Sequence, residues 1–392
     1  MNAEANAGAR MINARRLQSR RKIVQRRRLA LVIVAGLLIL AVVGALALIS
    51  RLEGNLTVAR LQSSAEAMIN GAQVGSSASN VLVLGSDGRD TGEGKYGQDT
   101  GTRRSDSMML VHIAGGNTRI DAVQIPRDTV LLRPSCDDVG FGSFAGGWGM
   151  INSAFNYGEN CSVRAVEALT GLRIDHVMSL NFDGFARVVE AVGGINVCLE
   201  HPLQDKHALL DLPAGEQELG GEDALALARV RYAIGDGSDI SRMANQQMVM
   251  AAIAQRATSA EVLSRPDRLY AFVDAITSSL TVDDGLSSVS QLAGLALRVN
   301  EVPNTEITFL TMPWQPATAN SARVEPSADA QRLWAALAAD QPLIFSRDTD
   351  AKEAAKGGKP TTLDKEFEGA DETQNASEKI DTVKRTAAAP LC

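Results

Sequence analysis

Apolar side chains follow three regimes along this chain. From Leu29 to Ser50 they run unbroken, as LALVIVAGLLILAVVGALALIS, 22 residues without charge or proline. A helix rises ~1.5 Å per residue, so this stretch spans a ~30 Å hydrocarbon core. A core helix in water would show a polar stripe, and none is present. From residue 80 onward the pattern breaks into short runs bounded by turn residues. Asn80–Gly85 (NVLVLG) reads as a buried strand and Ser107–Ile113 as a second. Thr118–Ile125 follows across Gly115-Gly116-Asn117 as a third, alternating at Ile120, Ala122 and Gln124, so a hairpin is expected.

Helical spacing then sets in. A helix is predicted from Ser162 to Thr170, stopped by Gly171, and a strand at His176–Asn181. A helix capped by Asp183 runs to Val192 and ends at Gly193-Gly194. Ile195–Leu199 is a short strand, Glu222–Arg231 and Asp239–Ala257 are helices, and Ala328–Ala339 is the last helix. Beyond Arg347 the only aromatic residue is Phe367, too little apolar surface to offset ordering entropy, so a disordered tail is expected.

These elements divide the chain into a basic arm (1–28), a transmembrane helix (29–50), a stalk or linker (51–79), one globular domain (80–345) and a polar tail (346–392). Strands and helices interleave, yet the first strands are hairpin-connected. The expected fold is therefore α/β, with a mixed, mainly antiparallel central sheet covered by helices in α-β-α layers.

Charge refines the membrane reading. Residues 1–28 carry nine basic side chains against the single acid Glu4, so a chain of net charge −7 holds −15 outside that arm. Basic flanks stay on the cytoplasmic side, so a single-pass protein with its N-terminus inside and residues 51–392 outside is expected, a cleaved signal peptide with its shorter apolar region being the competing reading. The acidic bulk and an aromatic content of 4% argue against a nucleic-acid partner. The four cysteines Cys136, Cys161, Cys198 and Cys392 show no metal-ligand spacing and allow three full pairings. Cys136 and Cys161 bracket a Gly-rich segment, and a bridge between them would close a loop of about 25 residues, worth ~3 kcal/mol in the chain-entropy account.

Candidate chemistry gathers at element ends. Arg104 (in RRSD) precedes a strand and Arg127 (in IPRD) follows one; Arg229 and Arg231 close a helix, and Arg242 opens the next. Guanidinium groups bind phosphate in bidentate fashion and stay charged when half buried, so a shared anion site is expected, each arginine taken alone being an ordinary surface residue. Asp239, Arg242 and Gln246 are spaced i, i+3 and i+7 and share one helix face. Asp239 also stands at the helix N-terminus, where it either caps the helix or takes part in chemistry. Asp87, Asp90, Asp99 and Asp106 lie on a Gly-rich loop, where carboxylates are either solvated or suited to a hard cation such as Mg²⁺. The histidines lack metal spacing and no GxSxG or Walker motif occurs; GEGKYG (Gly92–Gly97) has GxGxxG spacing but lies within the polar loop, not at the strand-to-helix turn of a dinucleotide site.

Together the segments NVLVLGSDGRD, RRSDSMMLV, DAVQIPRDT, INSAFNYG, ALTGLRIDHVMSLNFDGF, VVEAVGGINVCL, LDLPAGEQELGGEDALALARVRY and GDGSDISRMANQQ resemble the LytR-CpsA-Psr family of cell-wall enzymes, in its actinobacterial form. They cover about residues 80–250, in the family's order. The resemblance implies a phosphotransferase that moves a glycopolymer such as teichoic acid or arabinogalactan from a polyprenyl pyrophosphate carrier to peptidoglycan. The product would be a phosphodiester at the N-acetylmuramic acid C6 hydroxyl, and the prenyl chain would need an apolar pocket in the core. It further implies that Arg104, Arg127, Arg229, Arg231 and Arg242, with Gln246, grip the pyrophosphate. Asp106, with Asp90 or Asp87, would hold Mg²⁺, with Mn²⁺ as the alternative ion, and Asp239 would serve as base. Two readings compete: a polyprenyl pyrophosphate hydrolase using the same site, and a non-catalytic wall-binding or regulatory membrane protein. The chain departs from the family at Asn245, where a basic residue is common.

Overall fold

The computed structural model describes residues 31–61, 78–86, 103–199, 201–205, 208, 210–230, 239–343 and 384–386. The chain divides into two compact units, Met1–Gly54 and Asn55–Cys392. In the first, helix α1 (Leu31–Gly54) is long and apolar enough to cross a membrane. Its large side chains are exposed, from Leu31 at 68% to Ile49 at 42%. Leu29 and Ala30 of the expected span lie outside the described residues.

The second unit begins with strands β1 (Thr57–Ala59), β2 (Ser79–Ser86), β3 (Ser105–Ile113), β4 (Ile120–Gln124), β5 (Val130–Arg133) and β6 (Gly147–Met150). Helix α2 (Glu159–Thr170), β7 (His176–Asn181), α3 (Phe182–Ala191), β8 (Ile195–Leu199), β9 (Leu203–Asp205), β10 (Leu210–Leu212) and β11 (Gly215–Leu219) follow. Next are α4 (Gly221–Arg229), α5 (Asp239–Ala257), α6 (Ala260–Leu263), α7 (Pro266–Ser279), β12 (Leu280–Asp283) and α8 (Val289–Glu301). Last come β13 (Ile307–Thr311), β14 (Trp314–Ala317), β15 (Asn320–Pro326), α9 (Ala328–Ala338) and β16 (Lys384–Thr386).

Among the described residues the central sheet has eight strands in the order β1-β12-β7-β2-β3-β4-β13-β16. Pairings β12–β7, β2–β3, β3–β4 and β13–β16 are antiparallel; β1–β12, β7–β2 and β4–β13 are parallel. The sheet is mixed, as the interleaved pattern implies. Period-two alternation sends Leu82, Leu84, Met108 and Leu110 to one face, where α2 and α9 cover them. Val81, Met109, Ala122 and Phe309 point to the other, against α5 and α8. Each fully buried aliphatic side chain contributes ~1.5–3 kcal/mol. A third cluster joins α3, α4 and α5 to β8–β11 beside the sheet.

Several boundaries differ from the sequence pattern. All five residues of β4 are buried, because helices cover both faces; the alternation at Ile120, Ala122 and Gln124 marks one of two buried faces. Helix α3 is capped by Asn181, whose side chain accepts from the Gly184 amide, and Asp183 falls inside the first turn. Helix α2 starts at Glu159, three residues earlier than expected. The polar tail contributes β16, which pairs antiparallel with β13. The rest of the segment read as disordered lies outside the described residues.

Cys136 and Cys161 form a disulfide with Cα atoms 5.6 Å apart, fastening the Gly-rich segment after β5 to α2. Cys198 is also disulfide-bonded, and its partner lies outside the described residues. At the far end of β3, His112 is fully buried between Asn80 (2.8 Å) and Asp340 (3.2 Å). Arg119 binds both Asp340 and Asp121 there. Burial pushes the His112 pKa below its ordinary value, outweighing the Asp340 hydrogen bond that raises it. Burial likewise raises Asp121 against the pull of Arg119.

Candidate active site

The site forms where β3 begins, β4 ends and α5 starts. Arg127 sits in a turn closed by the Thr129 amide donating to the Pro126 carbonyl (3.0 Å), reinforced by the Thr129 hydroxyl (2.6 Å). A proline at this position presets the chain for the turn. The turn is braced from both sides. Asn152 donates its amide to the Arg127 carbonyl (3.3 Å), and Arg323 of β15 binds Asp128 at 3.0 Å.

From this turn Arg127 donates through Nη1 to Asp106 Oδ1 at 2.5 Å. Asp106 is the second residue of β3 and remains 26% exposed at its side chain. Arg242, buried in the first turn of α5, donates through Nη2 to the Asp106 backbone carbonyl at 3.0 Å. Two guanidinium groups thus converge on one residue, one at its carboxylate and one at its backbone. A buried arginine keeps its charge; Asp128, 4.0 Å from Arg127 Nε and bound by Arg323, is the second acid at this corner.

One turn beyond Arg242, Gln246 accepts from Gln124 Nε2 at the end of β4 and donates to the Ala228 carbonyl at 3.3 Å. The amide chain therefore ties three elements together, with Arg127 three residues past Gln124 and Arg229 next to Ala228. The Arg229 guanidinium stacks on the Phe182 ring, 4.7 Å from its centroid. Arg104 is exposed at the entrance to β3, two residues before Asp106. Asn245, where a cation was expected by resemblance, is buried on α5.

The structure thus brings Asp106, Arg127 and Arg242 into one hydrogen-bonded group, with Gln246 one turn further along α5 on separate partners and Arg104 and Arg229 on the adjoining element ends. Arg231, Asp87 and Asp90 lie outside the described residues. Asp239 is the first residue of α5, but its side chain also lies outside them. Among the described residues no cluster of three metal-ligating side chains occurs. Of the carboxylates expected to hold magnesium, Asp106 alone has a described side chain; Arg127 occupies its Oδ1, and the side chain is 26% exposed.

Sequence reasoning overlooked Arg103. Its guanidinium lies 4.1 Å from the Phe141 centroid and 4.9 Å from that of Phe155, with Glu159 at 3.7 Å. Its place beside Arg104 in RRSD was the available signal. Gln124 was also overlooked, although an amide at the end of a strand otherwise buried in apolar company carries information.

An α/β domain with two arginines gathered on an aspartate at a strand end is the class these observations define. The chain belongs to the LytR_cpsA_psr family, whose model matches residues 54–338. It is 28% identical over 313 residues to the cell wall biosynthesis protein LcpA of Corynebacterium glutamicum, covering 70% of this chain and 59% of that protein. It is 32% identical over 206 residues to the polyisoprenyl-teichoic acid–peptidoglycan teichoic acid transferase TagU of Bacillus cereus, covering 52% of this chain and 61% of TagU. The chain thus spans about three fifths of the length of these curated relatives. In fold it resembles the LytR-Csp2A-Psr enzyme from Actinomyces oris, with a TM-score of 0.55 at 22% identity, covering 72% of this chain and 94% of that one.

Proposed function

We infer that this chain is a membrane-anchored phosphotransferase that moves a glycopolymer from a polyprenyl pyrophosphate to peptidoglycan. The observation that carries the reading is the convergence of Arg127 and Arg242 on Asp106. Phosphoryl transfer needs positioning and charge neutralisation above all, and this corner supplies both.

In this reading the acceptor hydroxyl attacks the phosphorus joined to the sugar polymer. The bond from that phosphorus to the bridging oxygen breaks, prenyl phosphate departs, and a phosphodiester forms. Arg127, Arg242, Arg104, Arg229 and Arg231 offset the charge of the pyrophosphate, and Gln246 holds the elements that carry them. Asp239, opening α5, receives the hydroxyl proton. Asp106, with Asp87 or Asp90, would hold Mg²⁺, which would supply further neutralisation of the phosphate oxygens.

The prenyl chain needs an apolar bed. On the α5/α8 face of the sheet, Val83, Val111, Met178, Met250 and Leu295 are only half buried, whereas the opposite face is fully covered. That looser face suits an inserted hydrocarbon chain. The exposed apolar helix α1 would anchor the protein, with the basic arm in the cytoplasm and the second unit outside.

The test is release of prenyl phosphate by the full chain in detergent, with and without Mg²⁺ and with peptidoglycan or water as acceptor. The reading expects Mg²⁺-dependent release that peptidoglycan accelerates. Release equally fast with water alone would identify a hydrolase, and no release with either acceptor would remove the enzymatic reading.

A further inference from the structure

Strand β3 enters the sheet irregularly, and the irregularity falls on Asp106. Along β2 and β3 the pairs Leu84–Met108 and Gly85–Ser107 advance one residue at a time, but Ser86 then pairs with Ser105. Asp106 is therefore an extra residue without a place opposite β2, a β-bulge. The ladder on the other side stays regular: Met109 faces Gln124, and the Ile125 amide donates to the Met108 carbonyl at 2.8 Å. A bulge takes its extra residue out of the pairing and re-aims its side chain. Here Asp106 gives its carboxylate to Arg127 at 2.5 Å and its carbonyl to Arg242 at 3.0 Å.

The bulge has its own fastening. Ser105 is fully buried, and its hydroxyl lies 2.7 Å from the Ser107 carbonyl and 3.4 Å from the Gly85 carbonyl. A hydroxyl has one proton, so the shorter bond takes it. A bond from one side chain to the carbonyl two residues on draws the chain together around the residue between them. That residue is Asp106. Gly85 lets the two strands close up at this point, since a Cβ there would come within 3.0 Å of the Ser107 Cβ.

We propose that Ser105 is a positioning residue, whose hydroxyl holds the bulge that presents Asp106 to Arg127 and Arg242. Without that hydroxyl the segment before Ser107 relaxes toward regular pairing, in which Asp106 takes the place of Ser105 opposite Ser86. A slip of one residue turns a side chain to the other face of the sheet, so the carboxylate leaves Arg127. The effect on turnover rests on the transferase reading; the effect on Asp106 does not.

The experiment uses the full chain in detergent and compares wild type, Ser105→Ala and the control Thr277→Val. Thr277 is also fully buried, and its hydroxyl donates to the Val273 carbonyl at 2.9 Å within α7. Its removal deletes a buried hydroxyl without touching the bulge. Each protein is melted, assayed for prenyl phosphate release and crystallised. Both variants should melt a little below wild type. Only Ser105→Ala should lose turnover, by about ten- to a hundredfold in kcat, because a displacement of ~1 Å at a reacting centre costs up to ~10²-fold. The lipid KM should rise far less, and the crystal structure should show Asp106 withdrawn from Arg127.

Turnover of Ser105→Ala that matches wild type, or that falls only with the folded fraction as in Thr277→Val, overturns the proposal. An unaltered Asp106–Arg127 contact in the crystallised variant overturns it as well. If wild type releases no prenyl phosphate, the transferase reading falls and the crystal comparison decides alone. Withdrawal of Asp106 would then keep Ser105 as the residue that places it.

Discussion

Replacing Arg127 by alanine separates the chemical role of the arginine corner from its structural one. The substitution removes the guanidinium that sits 2.5 Å from Asp106. The two side chains are 17% and 26% exposed, so water screens the pair and its loss should cost about 1 kcal/mol of stability. In a unit of this size that lowers Tm by only ~2 °C. The turn itself is held by Thr129, Asn152 and Arg323, none of which the substitution touches. The loss to chemistry is much larger. Removing one preorganised group that meets developing phosphate charge typically lowers turnover ~10²–10³-fold. Prenyl phosphate release by the full chain, with a thermal melt of the same sample, gives both quantities. A cycle with Asp106→Ala sharpens the result. If Arg127 only orients Asp106, the double variant is no slower than Asp106→Ala alone; the account requires it to be slower. Turnover within a few-fold of wild type in Arg127→Ala, with the fold intact, would refute the phosphate-gripping argument.

Other consequences follow from the same geometry. Cys136→Ser should lose ~3 kcal/mol, the chain-entropy value for this bridge, read as a drop in unfolding midpoint; reductant, which also opens the Cys198 bridge, should lower wild type at least as far. Gly221→Ala should lower Tm by a few degrees, because an added Cβ would run into the Ala186 carbonyl where α4 packs on α3. His112 titrates below its ordinary value in the folded state, so the unfolded chain binds its proton first as pH falls. Stability from this residue is present above pH ~6.5 and is lost as pH drops through the folded-state value. Melts from neutral to mildly acidic pH should show that decline in wild type and a flatter profile in His112→Gln.

Local signals made much of the fold legible. Strands β7 and β8 and helix α5 stand where apolar runs and turn residues place them, because short buried strands and a long helical period each leave a distinct pattern. Pairing did not share that legibility. Nothing local says that β13 enters parallel beside β4, or that three residues of a polar tail pair with β13. Those contacts join segments far apart in the chain. Arg127 and Arg242 could be singled out as cations at element ends. Their meeting at Asp106, one on the carboxylate and one on the backbone carbonyl, is a property of three elements packed together. Gln246 shows the limit most clearly. Its spacing from Arg242 is read directly from the sequence, while its amide bridge from Gln124 to the Ala228 carbonyl requires the tertiary arrangement.

The central claim is that the bond made is between phosphorus and an acceptor oxygen on peptidoglycan. A substrate carrying a radioactive label on the phosphorus joined to the sugar polymer tests it directly, with the full chain, Mg²⁺ and purified peptidoglycan. The account predicts that the label enters peptidoglycan together with the polymer, and that Asp106→Ala prevents it. Label remaining on the prenyl carrier while the polymer moves would mean that the sugar–oxygen bond is the one broken, and would contradict the account.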